Sequence, residues 1–255
     1  MPRFCANLST LFTEMPMTER PAAARAAGFE AVEILFPYDE DAAALRQAIA
    51  GAGLPVALIN CPPPNYASEG GPRGFAAVPG GEERFRHDFR RSCRYASALG
   101  AERVHVMAGV AEGPEAGDSF ATNLAWAANE VPGLQLTVEP LNPDDMPGYF
   151  LDDLSLALAV IEEVGAPNLS LQFDAYHVHK LTGDVLGTWD AVREHVGHVQ
   201  IADHPGRHEP GSGEIDYAAF LARLDTDGYE GWVSAEYRPR ADTGEGLGWM
   251  AALSP

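Results

Sequence analysis

The stretch Leu134-Gln135-Leu136-Thr137-Val138-Glu139 is a short apolar run, rich in β-branched residues, that ends in a carboxylate. Such a run, bounded by turn residues, is typical of a buried β-strand. Comparable runs recur along the whole chain, at residues 3–7, 31–35, 54–60, 103–107, 169–174, 198–201 and 232–236. The sequence therefore predicts eight strands.

Ala-rich segments with helical spacing lie between these runs, and several are followed directly by Gly. The clearest are residues 41–50, 82–99, 118–130, 152–164 and 217–224. A chain of 255 residues suits one (β/α)₈ barrel of about 250 residues, and there is no Gly-rich dinucleotide loop of the kind found in open sheets. We therefore expect an α/β protein with a single TIM-barrel domain over residues 1–255.

The charge balance and cysteine content narrow the possible partners. The formal net charge is -20, which disfavours binding to a nucleic acid backbone or an anionic membrane surface. No stretch approaches the roughly 20 apolar residues of a membrane span. The three cysteines show no pairing motif, which favours a reducing compartment. We expect a cytoplasmic protein without a nucleic acid or membrane partner.

Four of the predicted strands carry a polar side chain at or near the carboxyl end: Glu139, Asp174, Gln200 and Glu236. Taken singly, each has an ordinary explanation, such as helix capping by Asp174 or backbone hydrogen bonding by Gln200. In a closed parallel barrel all four meet at one mouth, where active sites lie. Three carboxylates in one cavity need a counter-charge, and oxygen ligands favour Mg²⁺ or Mn²⁺ over zinc.

The second half of the chain resembles the hydroxypyruvate isomerase family of the xylose isomerase-like TIM barrels, and the resemblance extends over nearly the full length. The motifs are Val138-Glu139-Pro140-Leu141-Asn142 with Asp145-Met146-Pro147-Gly148, Asp174-Ala175-Tyr176-His177, Gln200-Ile201-Ala202-Asp203, Gly213-Glu214-Ile215 and Glu236-Tyr237-Arg238-Pro239. Related ketose 3-epimerases generally place His where Gln200 stands, so Gln200 favours the hydroxypyruvate branch.

The resemblance implies one divalent metal ion, Mg²⁺ or Mn²⁺, ligated by Glu139, Asp174, Gln200 and Glu236. It also implies that Glu139 and Glu236 are the catalytic acid/base pair. The expected reaction interconverts hydroxypyruvate and tartronate semialdehyde by glutamate-mediated proton transfer through a metal-stabilised enediolate. Glyoxylate metabolism is the pathway context that this resemblance suggests.

Four further side chains are candidates for substrate binding. His177 lies one turn beyond Asp174 and has an alternative role as a partner of a metal-bound carboxylate. Arg207 lies in the loop after the seventh strand, and Arg73 lies in a long Pro- and Gly-rich loop, residues 61–81, that is a candidate lid. His105 ends the fourth strand and, like Glu33 on the second, is a weaker candidate.

The remaining polar residues have simpler expectations. Asn7 and Asn60 are expected to organise loops through Asx-type hydrogen bonds. No other histidines show the spacing of zinc ligands, so surface or loop positions are expected for His195, His198, His204 and His208.

The motifs leave other functions open. A related isomerase or epimerase that acts on a four-carbon 2-oxo sugar acid or on a ketose would use the same site. An abasic-site endonuclease shares the barrel but uses several metals and more histidines, and a non-catalytic barrel is a third possibility. The substrate is expected to be a small hydroxy-carbonyl acid, and a homo-oligomer is possible.

Overall fold

The computed structural model describes residues 2–61 and 73–253. Eight parallel strands close into a barrel in sequence order, which confirms the predicted fold. Each strand pairs with the next, and the first pairs with the last. The strands are β1 (Arg3–Asn7), β2 (Ala31–Ile34), β3 (Val56–Asn60), β4 (Arg103–His105), β5 (Gln135–Val138), β6 (Leu169–Asp174), β7 (Val196–Ile201) and β8 (Trp232–Ala235).

Helices connect consecutive strands on the outside of the barrel, and Asp side chains cap several of them. Asp153, for example, accepts a hydrogen bond from the backbone N–H of Leu156 at 2.9 Å. The helices are α1 (Arg20–Ala26), α2 (Ala42–Ala52), α3 (Glu82–Leu99), α4 (Pro114–Glu130), α5 (Leu154–Val164), α6 (Ala175–Thr182), α7 (Val185–Val192), α8 (Tyr217–Thr226), α9 (Thr243–Gly246) and α10 (Gly248–Ala252). Short 3₁₀ turns occur at Pro37–Asp39 and Arg193–His195.

The barrel interior carries polar side chains instead of a purely apolar core. Glu33 on β2 and His198 on β7 are both fully buried, with 2.7 Å between Glu33 Oε2 and His198 Nε2. Because β2 and β7 are not neighbours in the ring, this contact crosses the interior. The expected surface or loop position of His198 is therefore wrong: the residue lies within a strand and points inward.

The long loop before α3 is described only from residue 73 onward, so residues 62–72 of the candidate lid lie outside the described residues. The described part packs against the chain that leaves β4. A Cβ on Gly74 would lie 2.2 Å from the Met107 carbonyl oxygen, and the Gly74 φ of +108° suits glycine. The backbone N–H of Ala77 also donates to the Ala108 carbonyl at 2.8 Å.

The helices and the cysteines can be compared with the expectations for membrane spans and disulfides. Among the described residues, no helix has the length and apolar character that crossing a membrane requires. Cys5, Cys61 and Cys93 are free thiols.

Candidate active site

A cavity of ≈ 140 Å³ opens at the mouth formed by the carboxyl ends of the strands. Its apolar wall consists of Leu35, Phe36, Met107, Leu141 and Met146, and its polar wall consists of Asn60, Arg73, His105, Glu139, His177, Arg207 and Glu236. Every residue predicted to bind substrate or transfer protons therefore lines one space. Asp174 and Gln200 lie directly behind this lining, hydrogen-bonded to Arg207 and Glu236 respectively.

Arg207 joins two of the predicted carboxylates. Its Nη2 donates to Asp174 Oδ2 at 2.9 Å and to Glu236 Oε1 at 2.8 Å. The residue has a φ of 57°, a left-handed conformation that is uncommon outside glycine. Its carbonyl accepts a hydrogen bond from the Arg238 backbone N–H at 2.6 Å, which stabilises this turn. Backbone strain of this kind is often found where a side chain must be aimed at a site.

Asp174 uses its two carboxylate oxygens for different contacts. Its Oδ1 caps α6 by accepting from the Tyr176 backbone N–H at 2.8 Å, and its Oδ2 faces Arg207. Strand β6 thus passes into α6 without a loop, because one carboxylate ends the strand and begins the helix.

A chain of amide groups lies beneath the two glutamates. Gln172 Nε2 donates to Glu139 Oε2 at 2.9 Å and to Gln200 Oε1 at 2.7 Å. Gln200 Nε2 in turn donates to Glu236 Oε2 and, at 2.8 Å, to Glu33 Oε1. The carboxylates of Glu139 and Glu236 are therefore held in fixed orientations from below. Sequence reasoning missed Gln172, although it stands two residues before Asp174 and so faces the same side of β6.

Burial shifts the acid strength of both glutamates. Desolvation raises the pKa of Glu139 well above its usual value, and the charges of Asp174 and Glu236 raise it further. Desolvation also raises the pKa of Glu236 to about 8, although the Arg207 guanidinium opposes this shift. Three carboxylates share a single guanidinium, so their full ionisation would leave a surplus of negative charge in this part of the site.

The two histidines of the cavity are neutral near pH 7. Burial lowers the pKa of His105 to about 3 and that of His177 to about 4. His177 Nδ1 accepts the Asn142 backbone N–H at 3.0 Å, so the ring proton is on Nε2, which lies 3.8 Å from Asp174 Oδ2. Neither ring nitrogen of His105 has a hydrogen-bond partner in the described structure, and Nδ1 lies 3.6 Å from Glu139 Oε2.

The two asparagines behave differently from each other. Asn7 Oδ1 accepts the Ser9 backbone N–H at 2.9 Å, which is the expected Asx-type turn, and its amide donates to Glu33. Asn60 lines the cavity, and its buried Oδ1 has no hydrogen-bond partner within the described ranges. Asn60 is thus a cavity residue that sequence reasoning treated as a loop residue.

The residues of this cavity suit a cation. Glu139, Asp174 and His177 each place one potential ligand atom within 4.8 Å of the other two, and all three are buried. Surplus negative charge in a buried site is what a bound cation neutralises. The cluster could therefore bind a metal ion. Gln200 directs its amide nitrogen, not its oxygen, toward Glu236, so ligation by its oxygen requires the amide to turn.

Comparison with known proteins agrees with this geometry. Residues 21–253 match the family described as xylose isomerase-like TIM barrel. The chain belongs to this family. Among its relatives is a protein of Cupriavidus necator named 2-oxo-tetronate isomerase, which is 46% identical over 98% of both chains. The hydroxypyruvate isomerase of Escherichia coli is 38% identical, again over 98% of both chains.

A solved structure of the same family shows how closely the backbone agrees. The chain from Brucella melitensis titled AP endonuclease, family 2 superposes with a TM-score of 0.94, at 40% identity and 99% coverage of both chains. The resemblance to this barrel family inferred from the motifs is confirmed. The curated relatives are isomerases, in agreement with the predicted enzyme class and with both the three-carbon and the four-carbon substrate.

Proposed function

We propose that the protein isomerises a short 2-oxo-3-hydroxy acid, with hydroxypyruvate and tartronate semialdehyde as the pair interconverted. The observation that carries this proposal is the cavity in which Glu139 and Glu236 converge with Arg207, His177 and His105. Pockets for drug-sized ligands enclose about 300 Å³ or more. A cavity of ≈ 140 Å³ suits a substrate of only a few carbon atoms.

The reaction moves one proton from C3 to C2 and the hydroxyl proton from the C3 oxygen to the C2 oxygen, and the two glutamates are arranged for the transfer between the carbons. They follow β5 and β8, which are three strands apart in a ring of eight, so they approach the cavity from different sides. Burial raises the pKa of both glutamates, but the Arg207 guanidinium donates directly to Glu236 Oε1 and favours its ionised form. We therefore assign Glu236 as the base that removes a C3 proton from the 2-oxo acid and Glu139 as the acid that delivers its own proton to C2.

The neighbouring side chains bind and orient the substrate. Arg207 and Arg73 line the cavity and offer guanidinium donors to the substrate carboxylate. The Nε2–H of neutral His177 donates to a substrate oxygen, and neutral His105 fulfils the same role beside Glu139. Gln172 keeps the carboxylate of Glu139 in position.

We assign one divalent metal ion, Mg²⁺ or Mn²⁺, to Glu139, Asp174, Gln200 and Glu236. The support is chemical: these residues offer oxygen donors, and the buried carboxylates outnumber the guanidinium between them. When bound, the ion supplies positive charge to the oxygens of the enediolate. His177 forms one compact group with Glu139 and Asp174, but its Nε2 carries the ring proton, so we assign it to substrate binding.

A four-carbon 2-oxo acid is the second candidate substrate. It differs from hydroxypyruvate only by a hydroxymethyl group on the carbon that bears the hydroxyl, so the same proton transfer applies. The relative of Cupriavidus necator named for such an acid has 46% identity, which favours this candidate. Turnover of three-, four- and six-carbon substrates by the purified protein, with Mg²⁺ or Mn²⁺ added, separates the two.

Hydrogen exchange in D₂O tests the roles of the two glutamates. Glu139→Gln should still exchange the C3 hydrogens of hydroxypyruvate for deuterium while forming almost no tartronate semialdehyde. Glu236→Gln should lose both exchange and product, because it lacks the base. The rate of C3 hydrogen exchange without enzyme is subtracted as the blank. Full turnover by both variants, or exchange retained only in Glu236→Gln, would overturn these roles.

The other expected partners and the location follow from charge and cysteine content. With a net charge of -20, we propose that the protein does not bind nucleic acid. Failure to retard abasic duplex DNA at low salt tests this proposal. Three free thiols fit a cytoplasmic location. We also propose that the protein forms a homo-oligomer, and its mass in sedimentation analysis tests this.

A further inference from the structure

Two histidines and a glutamate form a second compact group beside the mouth, outside the cavity described above. His179 comes from α6, while His204 and Glu214 come from the loop between β7 and α8. One potential ligand atom of each lies within 4.8 Å of the others. His179 Nε2 and Glu214 Oε2 are 3.5 Å apart, and the two imidazole rings are 5.2 Å apart between centroids.

The loop that carries His204 and Glu214 is closed by an internal set of hydrogen bonds. The buried carboxylate of Asp203 accepts the backbone N–H groups of Gly213 and Ile215, at 2.9 and 3.1 Å. The Glu214 N–H donates to the His204 carbonyl at 2.7 Å. A Cβ on Gly213 would lie 2.0 Å from the His204 carbonyl oxygen, so glycine permits this approach. The fold of the loop thus holds Glu214 beside His204.

The group has the donor set of a transition-metal site, and the distance between two of its ligand atoms fits such a site. Two imidazoles and one carboxylate are a known ligand set for zinc with a water as fourth ligand. Zinc bonds of about 2.0–2.2 Å in a tetrahedron place ligand atoms roughly 3.3 Å apart. The observed 3.5 Å between His179 and Glu214 is close to that value. His204 Nδ1 is buried and has no hydrogen-bond partner in the described part of the chain.

We propose that His179, His204 and Glu214 bind a zinc-class cation, with water completing its coordination. A pocket of ≈ 160 Å³ lies beside His179 and Glu214 and gives solvent access to the group. Imidazole ligands distinguish this site from the oxygen-rich site at the mouth, because they favour Zn²⁺, Co²⁺ or Ni²⁺ over Mg²⁺.

The site would join two elements that carry active-site residues. Helix α6 carries His177, and the loop of residues 203–215 carries Arg207. A cation held between His179 on the helix and His204 on the loop cross-links these elements. It binds only the folded arrangement, so it stabilises that arrangement in proportion to its concentration.

Cobalt titration of chelator-treated protein tests the proposal. The background is Asp174→Asn/Glu236→Gln, which removes two carboxylates from the mouth and retains an oxygen at residue 174 to cap α6. In this background we expect one equivalent of Co²⁺ with the visible d–d absorption of a low-coordinate imidazole site, and displacement by one equivalent of Zn²⁺. Adding His204→Ala or His179→Ala should abolish that absorption.

His208→Ala is the matched control. His208 lies on the same loop, but its Nδ1 contacts the Arg238 carbonyl at 2.8 Å, and it does not belong to the group. Its substitution should leave the Co²⁺ signal and stoichiometry unchanged. The proposal fails if Co²⁺ does not bind in the Asp174→Asn/Glu236→Gln background. It also fails if His179→Ala and His204→Ala bind Co²⁺ as that background does while circular dichroism shows all variants folded.

Discussion

The guanidinium of Arg207 lies between two buried carboxylates, 2.9 Å from Asp174 Oδ2 and 2.8 Å from Glu236 Oε1. No other Arg or Lys in the described ranges forms an ion pair with either carboxylate. The arrangement links the loop after β7 to the ends of β6 and β8. It makes Arg207 both a substrate-binding candidate and the residue that favours the ionised form of Glu236.

Arg207→Ala should reduce kcat/KM by roughly 30-fold to several thousand-fold, because truncating one partner of a buried charge pair costs about 2–5 kcal/mol. Arg207→Lys should restore only part of this loss, since an ammonium group keeps the charge but lacks the other guanidinium nitrogens that remain for the substrate while Nη2 contacts both carboxylates. Steady-state kinetics at saturating Mg²⁺ or Mn²⁺ measure both variants. Arg238→Ala, with an exposed side chain nearby, is the control. Full activity in Arg207→Ala would refute the assigned role.

Gln172→Leu should lower kcat by roughly 10–100-fold while KM changes less, because the amide positions Glu139 without lining the cavity. Steady-state kinetics measure both constants. The pH dependence of kcat should also change, since Glu139 loses a hydrogen-bond donor. Ser170→Ala on the same strand is the control, as its hydroxyl donates only to the Leu136 carbonyl. Equal kcat in the two variants would show that Gln172 does not position Glu139.

The sequence predicted the main site residues because they follow buried strands. A carboxylate after an apolar run, as in Glu139 and Glu236, is conspicuous, and parallel strands bring such ends to one mouth. Gln172 and His198 were missed although the two-residue strand period points them to the same side as Asp174 and Gln200. The group of His179, His204 and Glu214 could not be predicted, since it depends on how Asp203 closes a loop.

Stability of the metal-free protein should fall as pH rises from about 7 to 8. Glu236 has a folded-state pKa of about 8, above its unfolded value near 4.3, so the folded protein binds more protons in that interval. The stability that this protonation contributes is present at low pH and lost as pH rises through the folded pKa. His105 and His177 have lowered pKa values and act in the opposite direction, but only below about pH 6.5.

Urea unfolding with a chelator present, at several pH values in this interval, measures the slope. Glu236→Gln has no carboxyl to titrate and should show a shallower decline than the native protein. Glu194→Gln, on the outer surface, should keep the native slope. An unchanged slope in Glu236→Gln would mean that the carboxyl is already ionised at pH 7 in the metal-free protein.

Met146→Ala should shift substrate preference toward longer acids. The Met146 side chain lines the cavity and is only partly buried, so shortening it enlarges the space with little loss of packing. We expect the ratio of kcat/KM for a four-carbon over a three-carbon substrate to rise by roughly 10-fold, the effect of about one buried methylene or two on discrimination. Met17→Ala is the matched control, because Met17 is also partly buried but does not line the cavity. A ratio that rises equally in both variants, or falls only in Met146→Ala, would show that this wall does not limit substrate length.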